Sequence, residues 1–220
     1  MAFDVSAACA GFIFAMNIVQ GFFKAGIYQT ALIIGAETLS KVTDWSDRST
    51  CVLFGDGAGA AVLKNDSVGM IDMLMGADGT KGDFLKCKSR TLGNFLTGTK
   101  PELGLMTMDG QEVFKFAVKR VPESVETLLK RNAVAKEEIK YYVLHQANER
   151  IVEAVARRLK EPMEKFPMTI AKYGNTSTAS IPLLLDDMLK KGMLKNGDKI
   201  VMSGFGAGMT WGAVLLEWNM

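Results

Sequence analysis

Apolar residues recur along this chain in two rhythms. Residues 31–35, 141–144 and 199–202 are short apolar runs, and each predicts a strand, as do residues 3–6 and the closing run 211–218. Residues 51–54 and 58–63 read as two strands joined by a glycine turn, and 31–35 as a buried strand. Helical spacing predicts helices over 9–25, 112–131, 148–160 and 177–191. In the third, Ile151, Val155 and Leu159 share one face at i, i+4 steps. The second is expected to bend near Pro122, whose ring removes a backbone donor. Residues 65–110 are rich in Gly, Asp and Thr, lack clear periodicity, and read as a long excursion. Strands alternating with helices predict an α/β fold with covered sheets.

The pattern repeats weakly. Small residues, an apolar helix, Gly26, a strand and the run Gly55-Asp-Gly-Ala-Gly59 come first. Small residues at 176–180, an apolar helix, Gly192, a strand and Gly204-Phe-Gly-Ala-Gly208 follow later. Two pseudo-duplicated halves are expected, divided as residues 1–110 and 111–220, with the first copy short at its start.

Composition narrows the classes. A 220-residue chain with 48% hydrophobic residues can bury a core, so disorder is not expected, and a net charge of +2 argues against a nucleic-acid partner. The three cysteines, Cys9, Cys51 and Cys87, form no C-x-x-C pair, and with a single histidine no metal site is expected. The most apolar stretch, residues 7–25, is interrupted by Asn17, Gln20 and Lys24, and no basic segment precedes it. It suits neither a membrane span of about 20 apolar residues nor a signal peptide. A soluble cytoplasmic protein with free thiols and no membrane partner is the expectation.

Three residues at element boundaries carry candidate chemistry. Cys9 lies in Asp4-Val-Ser-Ala-Ala-Cys-Ala-Gly11, between a strand and an apolar helix. A helix N-terminus there is expected to lower the thiol pKa, although an inert buried cysteine explains Cys9 alone as well. His145, the only histidine, ends the strand 141–144, and Asn175 precedes the helix 177–191. Taken singly, a structural histidine and a helix N-cap are the simpler readings. A nucleophilic cysteine served by a histidine and an asparagine accounts for all three together. Glycines at 204–208 suit close backbone approach to a developing oxyanion. The run at 55–59 lacks the Lys-Ser/Thr of a phosphate loop and reads as a structural turn.

These residues sit in five motifs: Ala7-Ala-Cys-Ala-Gly-Phe12, Leu53-Phe-Gly-Asp-Gly-Ala-Gly59, His145-Gln-Ala-Asn148, Tyr173-Gly-Asn-Thr-Ser177 and Gly204-Phe-Gly-Ala-Gly-Met-Thr-Trp-Gly212. In this order, and over the whole chain, they resemble β-ketoacyl-acyl carrier protein synthase III. The third and fifth separate it from elongating synthases, which use two histidines. The resemblance implies a thiolase-like α/β fold of pseudo-duplicated halves, with layered helices and mixed sheets. Family members carry roughly one further sheet-and-helix segment before the catalytic strand, so the first half is expected to be incomplete here. The family dimer pairs that strand, residues 2–6 here, across a two-fold axis. A homodimer or larger assembly with an unstable isolated monomer is therefore expected.

The resemblance further implies a decarboxylative condensation of acyl-coenzyme A with malonyl-acyl carrier protein. Cys9 would be the acyl-carrying nucleophile, and His145 and Asn175 the donors to the malonyl enolate. The backbone N–H groups of Cys9 and Ala207 would form the oxyanion hole. Arg48, Phe54, Gln111, Ala147 and Phe205 would contact coenzyme A or the acyl substrate. Lys115, Arg150, Arg157 and Arg158 would form a basic patch that steers an acidic carrier protein. An ordinary charged helix face is the plainer account of that patch. No cofactor is implied. Two alternatives stay open. One is another thiolase-fold acyltransferase, of polyketide-starter or hydroxymethylglutaryl-coenzyme A synthase-like type, the latter adding a catalytic acid from the N-terminal region. The other is a catalytically inactive fragment.

Overall fold

The computed structural model describes residues 1–89 and 91–220; Arg90, within the expected excursion, lies outside the described residues. The helices are α1 (Gly11–Lys24), α2 (Gly110–Arg131), α3 (Glu149–Leu159), the single turn α4 (Ile170–Tyr173) and α5 (Ser180–Lys190). The strands are β1 (Thr30–Glu37), β2 (Gly57–Lys64), β3 (Met70–Ala77), β4 (Leu85–Cys87), β5 (Met106–Met108), β6 (Ile139–Leu144), β7 (Lys199–Gly206) and β8 (Thr210–Glu217).

Local chemistry sets the helix ends. The Asp109 carboxylate accepts from the N–H groups of Gln111 and Glu112 at the start of α2. Asn148 caps α3 by accepting from the Arg150 N–H at 2.9 Å. Each cap satisfies backbone donors that the helix leaves free. Within α2, Pro122 has no N–H to offer the carbonyl of Val118, four residues earlier. Arg158 of α3 fills that vacancy, its Nη1 donating to the Val118 oxygen at 3.2 Å.

Two sheets enclose two helices. One sheet has the order β3-β8-β7-β6, with β6 parallel to β7 and the other pairs antiparallel. The other is the antiparallel pair β1-β2. Between them, Phe12, Ile13 and Met16 of α1 and Ile181, Leu184 and Met188 of α5 pack against Ile33 on one side. On the other side they meet Val143, Met202 and Val214. The alternate residues Tyr142, Val201 and Leu215 point the other way and meet Val125 and Leu128 of α2 and Val155 and Leu159 of α3. This period of two makes the four-stranded sheet the shared wall of both cores. Close contact needs small residues, because a Cβ on Gly212 would lie 2.8 Å from the Ile13 side chain.

The repeat is real at the level of structure. The units α1-β1-β2 and α5-β7-β8 each run helix, strand, antiparallel strand. Each helix is preceded by a 3-10 turn, Ala8–Ala10 and Ser177–Ala179, whose first residue is a non-glycine with positive φ: 45° at Ala8 and 50° at Ser177. Such backbone persists only where the surroundings impose it.

Several sequence expectations need correction. Residues 1–7 form no strand. Phe3 and Val5 are exposed, and no neighbouring strand among the described residues supplies ladder partners. The strand at 31–35 is buried on one face only: Ile33 is 5% exposed, while Leu32 and Ile34 are 60% and 61% exposed. Residues 51–54 are a turn rather than a strand, held by a bridge between Phe54 and Asn175. The glycines at 57–59 lie in β2 and those at 204–206 in β7, with the second hairpin turning after Gly206. The excursion also holds β3, which pairs with β8 along seven positions from Met70↔Leu216 to Ala77↔Thr210. Its run Met70-Ile-Asp-Met-Leu-Met is apolar enough for a sheet edge but too Met-rich to signal a strand.

Candidate active site

The turn Ala8–Ala10 delivers Cys9 to the start of α1 with the residue only 7% exposed. β7 passes so close that a Cβ on Gly206 would lie 2.6 Å from the Cys9 nitrogen, so only glycine fits there. The Thr178 hydroxyl donates to the Ala8 carbonyl oxygen at 2.7 Å, bracing the turn from the other half. Contrary to the expectation of a lowered thiol pKa, burial pushes Cys9 up to about 11. The neighbouring Ser177 hydroxyl and the Cys9 backbone oppose this, while the charge of Glu37 adds to it. Desolvation of the thiolate therefore outweighs the helix N-terminus.

His145 follows β6 and is 2% exposed. Its N–H donates to the Ser203 oxygen at 2.8 Å, and its ring stands edge-on to Phe205 at 5.4 Å. Burial pushes the imidazole down to about 3, so it is neutral near pH 7. Nδ1 lies 2.7 Å from the Ser180 hydroxyl, which leaves Nε2 as the free ring nitrogen. Asn175 is anchored through its backbone, its N–H donating to the Leu53 oxygen and its carbonyl accepting from the Gly55 N–H. Its Oδ1 accepts from the Ser177 N–H at 2.9 Å, leaving the Nδ2 amide as a donor.

All three line one cavity of about 770 Å³. Phe54, Gln111, Ala147 and Phe205 line it too, and Arg150 and Arg157 are exposed residues of its wall. Arg48 is exposed and stands outside the lining, next to Ser49, which is part of it. Ala207 is also outside the lining, adjoining Gly206, which is within it. Lys115 is exposed and pairs with Glu112 at 2.6 Å, and Arg158 turns toward α2. Among the described residues no group of three or more His, Cys, Asp or Glu is arranged to hold a metal. Nor is any helix among them long and apolar enough to cross a membrane.

The sequence reading did not single out Ser177, Ser180 or Glu37. Ser177 and Ser180 lie in the small-residue run at the start of α5, where a helix start explains their presence. Glu37, at the end of β1, accepts from the Ser177 hydroxyl at 3.2 Å across 140 residues of chain, a pairing that no local pattern announces.

This geometry has close counterparts. Residues 3–79 match the family model for 3-oxoacyl-[acyl-carrier-protein] synthase III, and residues 129–218 match the model for its C-terminal part. The chain is 50% identical over 219 residues to the β-ketoacyl-[acyl-carrier-protein] synthase III of Clostridium novyi, covering 99% of this chain and 68% of that protein. It is similar to the crystal structure of 3-oxoacyl-(acyl carrier protein) synthase III from Pseudomonas aeruginosa PAO1. There the TM-score is 0.94 and the identity 39%, covering 100% of this chain and 68% of that one. The corresponding structure from Aquifex aeolicus VF5 gives a TM-score of 0.88 at 44% identity, covering 99% of this chain and 67% of that one.

Proposed function

The chain belongs to the β-ketoacyl-[acyl-carrier-protein] synthase III family, the initiating condensing enzymes of fatty acid synthesis, and from that premise we propose that it joins an acyl group from acyl-coenzyme A to malonyl-acyl carrier protein through an acyl thioester on Cys9. The observation that carries this reading is the convergence of Cys9, His145 and Asn175 on one cavity from three distant segments.

In the first step the Cys9 sulfur attacks the acyl-coenzyme A carbonyl. Coenzyme A leaves as its thiol, taking up the proton that Cys9 gives up. The backbone N–H groups of Cys9 and Ala207 are the proposed donors to the tetrahedral oxyanion. In the second step malonyl-acyl carrier protein loses carbon dioxide. The electrons of the broken C–C bond pass to the thioester oxygen as an enolate. Nε2–H of neutral His145 and Nδ2–H of Asn175 donate to that oxygen. The enolate carbon then attacks the acyl-Cys9 carbonyl, and the thiolate is released and takes a proton from water. Both steps are closed by protein groups and the two thioesters, so no metal or redox cofactor is invoked.

Phe54, Gln111, Ala147 and Phe205 shape the channel for the acyl chain and its pantetheine arm, and Arg48 stands at the coenzyme A side. Arg150 and Arg157 at the cavity wall, with Lys115 on α2 and Arg158 on α3, meet the acidic carrier protein. The uncovered apolar side chains Leu32, Ile34 and Val62 support assembly as a homodimer, because exposed apolar patches favour association. The working compartment is the cytoplasm, with no nucleic-acid or membrane partner.

Intact mass measurement after incubation with acetyl-coenzyme A tests the first step. An acyl adduct is expected on the wild type and none on Cys9→Ala. His145→Ala and Asn175→Ala should each lose about 10²–10³ in malonyl decarboxylation while still accepting the acyl group. Equal loss of acylation in all three variants would overturn this division of roles.

A further inference from the structure

The Ser180 hydroxyl is 2.7 Å from Nδ1 of His145, and the Gln146 N–H points at the same oxygen from 3.4 Å. All three residues are buried, at 2%, 2% and 1% exposure. A serine hydroxyl carries one hydrogen and two acceptor lone pairs. Gln146 is a backbone donor, so it can only occupy a lone pair. If His145 also donated, from Nδ1–H, the serine hydrogen would have no acceptor among the described residues. A buried hydroxyl hydrogen left unpaired is costly. The arrangement with every partner satisfied has the Ser180 O–H donating to Nδ1, which requires Nδ1 to be unprotonated.

We infer that Ser180 is a positioning residue that holds His145 as the Nε2–H tautomer, so that a donor rather than a lone pair faces the malonyl thioester oxygen in the cavity. The segment that presents the pair is rigid for a visible reason. The Gln146 side-chain amide donates to the Leu144 oxygen at 2.8 Å, and its Oε1 accepts from the Thr169 N–H at 2.9 Å. The Gln146 backbone N–H is thereby pinned against the first residue of α5. Burial of the ring, with its lowered pKa, keeps the imidazole neutral, and a neutral ring has a single hydrogen to place. A fixed tautomer matters because the wrong one would set a lone pair against developing negative charge.

The inference rests on the proposed donation from His145 to the malonyl group, and the experiment keeps the two apart. His145 is the only histidine, so a protein labelled with ¹⁵N-histidine gives one imidazole signal set. Long-range ¹H–¹⁵N correlation at pH 7 is expected to show a neutral ring protonated at Nε2. In Ser180→Ala the two tautomers should both become populated. Malonyl decarboxylation should fall roughly ten-fold or more, while acyl labelling of Cys9 stays within about two-fold, since only the enolate step uses the His145 donor. Ser180→Thr keeps the hydroxyl and should restore the wild-type tautomer and decarboxylation. A wild-type ring protonated at Nδ1, an imidazolium at pH 7, or an unchanged tautomer in Ser180→Ala would overturn the assignment. The wild-type spectrum decides on its own if Ser180→Ala fails to fold. A wild type that holds the Nε2–H tautomer, loses it in Ser180→Ala, and yet never decarboxylates malonyl-acyl carrier protein supports the role of Ser180 and counts against the synthase reading instead.

Discussion

Thr178 reaches across from one half of the molecule to hold Ala8 in the other, its hydroxyl donating to the Ala8 carbonyl oxygen at 2.7 Å. Ala8 has φ of 45° and directly precedes Cys9; Ser177, with φ of 50°, directly precedes Thr178. The two 3-10 turns are structural counterparts, and one braces the strained backbone that aims the other's sulfur. Thr178→Val keeps the volume and removes the donor. It should lower stability by about 1 kcal/mol, the typical worth of such a bond. It should also slow acylation of Cys9 by more than that stability loss accounts for, because the turn can then relax. Denaturant titration beside the rate of acyl labelling checks this, and unchanged labelling would remove any role for the brace.

The burial of Cys9 sets a pH dependence. A thiol raised to about 11 is almost wholly protonated near neutrality, so alkylation by iodoacetamide should climb steadily from pH 7 to pH 10 without levelling. Glu37 contributes a negative charge that disfavours the thiolate. Glu37→Gln keeps a hydrogen-bond acceptor for Ser177 and removes that charge, so its alkylation profile should move to lower pH. A shift to higher pH would show that Glu37 acts on Cys9 by another route.

His145 makes the opposite contribution on the acid side. Its folded pKa, about 3, lies below the ordinary value of 6.5. The unfolded chain therefore binds the proton first as pH falls. The stability present above pH 6.5 drains away toward pH 3, with about 2 kcal/mol lost by pH 5. His145→Gln does not titrate in that window. The slope of unfolding free energy between pH 6.5 and pH 5 should be flatter in the variant than in the wild type, and equal slopes would mean that the ring is solvated when folded.

Neighbouring arginines on α3 should behave differently. Arg150→Glu or Arg157→Glu should raise KM for malonyl-acyl carrier protein several-fold and leave malonyl-coenzyme A unaffected. Added salt should mimic the effect, as the Debye length falls from about 10 Å at 0.1 M to about 3 Å at 1 M. Arg158→Ala strands the Val118 carbonyl left free by Pro122, so its main effect should be a loss of about 1 kcal/mol in stability. Carrier-protein kinetics unchanged in Arg150→Glu and Arg157→Glu would return this face to an ordinary solvated surface.

Helices α1, α2, α3 and α5 were legible in the sequence to within a few residues, because apolar spacing acts over neighbouring positions, and side-chain caps at Asp109 and Asn148 add to it in α2 and α3. Cys9, His145 and Asn175 were legible as candidates for a related reason: each stands where one element gives way to the next, Cys9 and Asn175 among small residues and His145 at the end of an apolar strand. What the tertiary structure alone decided depends on residues far apart in the chain. Residues 3–6 form no strand because a strand is defined by a partner, and β3 is a strand because β8 lies beside it. The thiol of Cys9 is raised rather than lowered because the walls that bury it come from β7 and from the start of α5, and desolvation there exceeds the pull of the helix N-terminus. The link from Ser180 to His145 spans 35 residues and exists only once β6 and α5 are packed together.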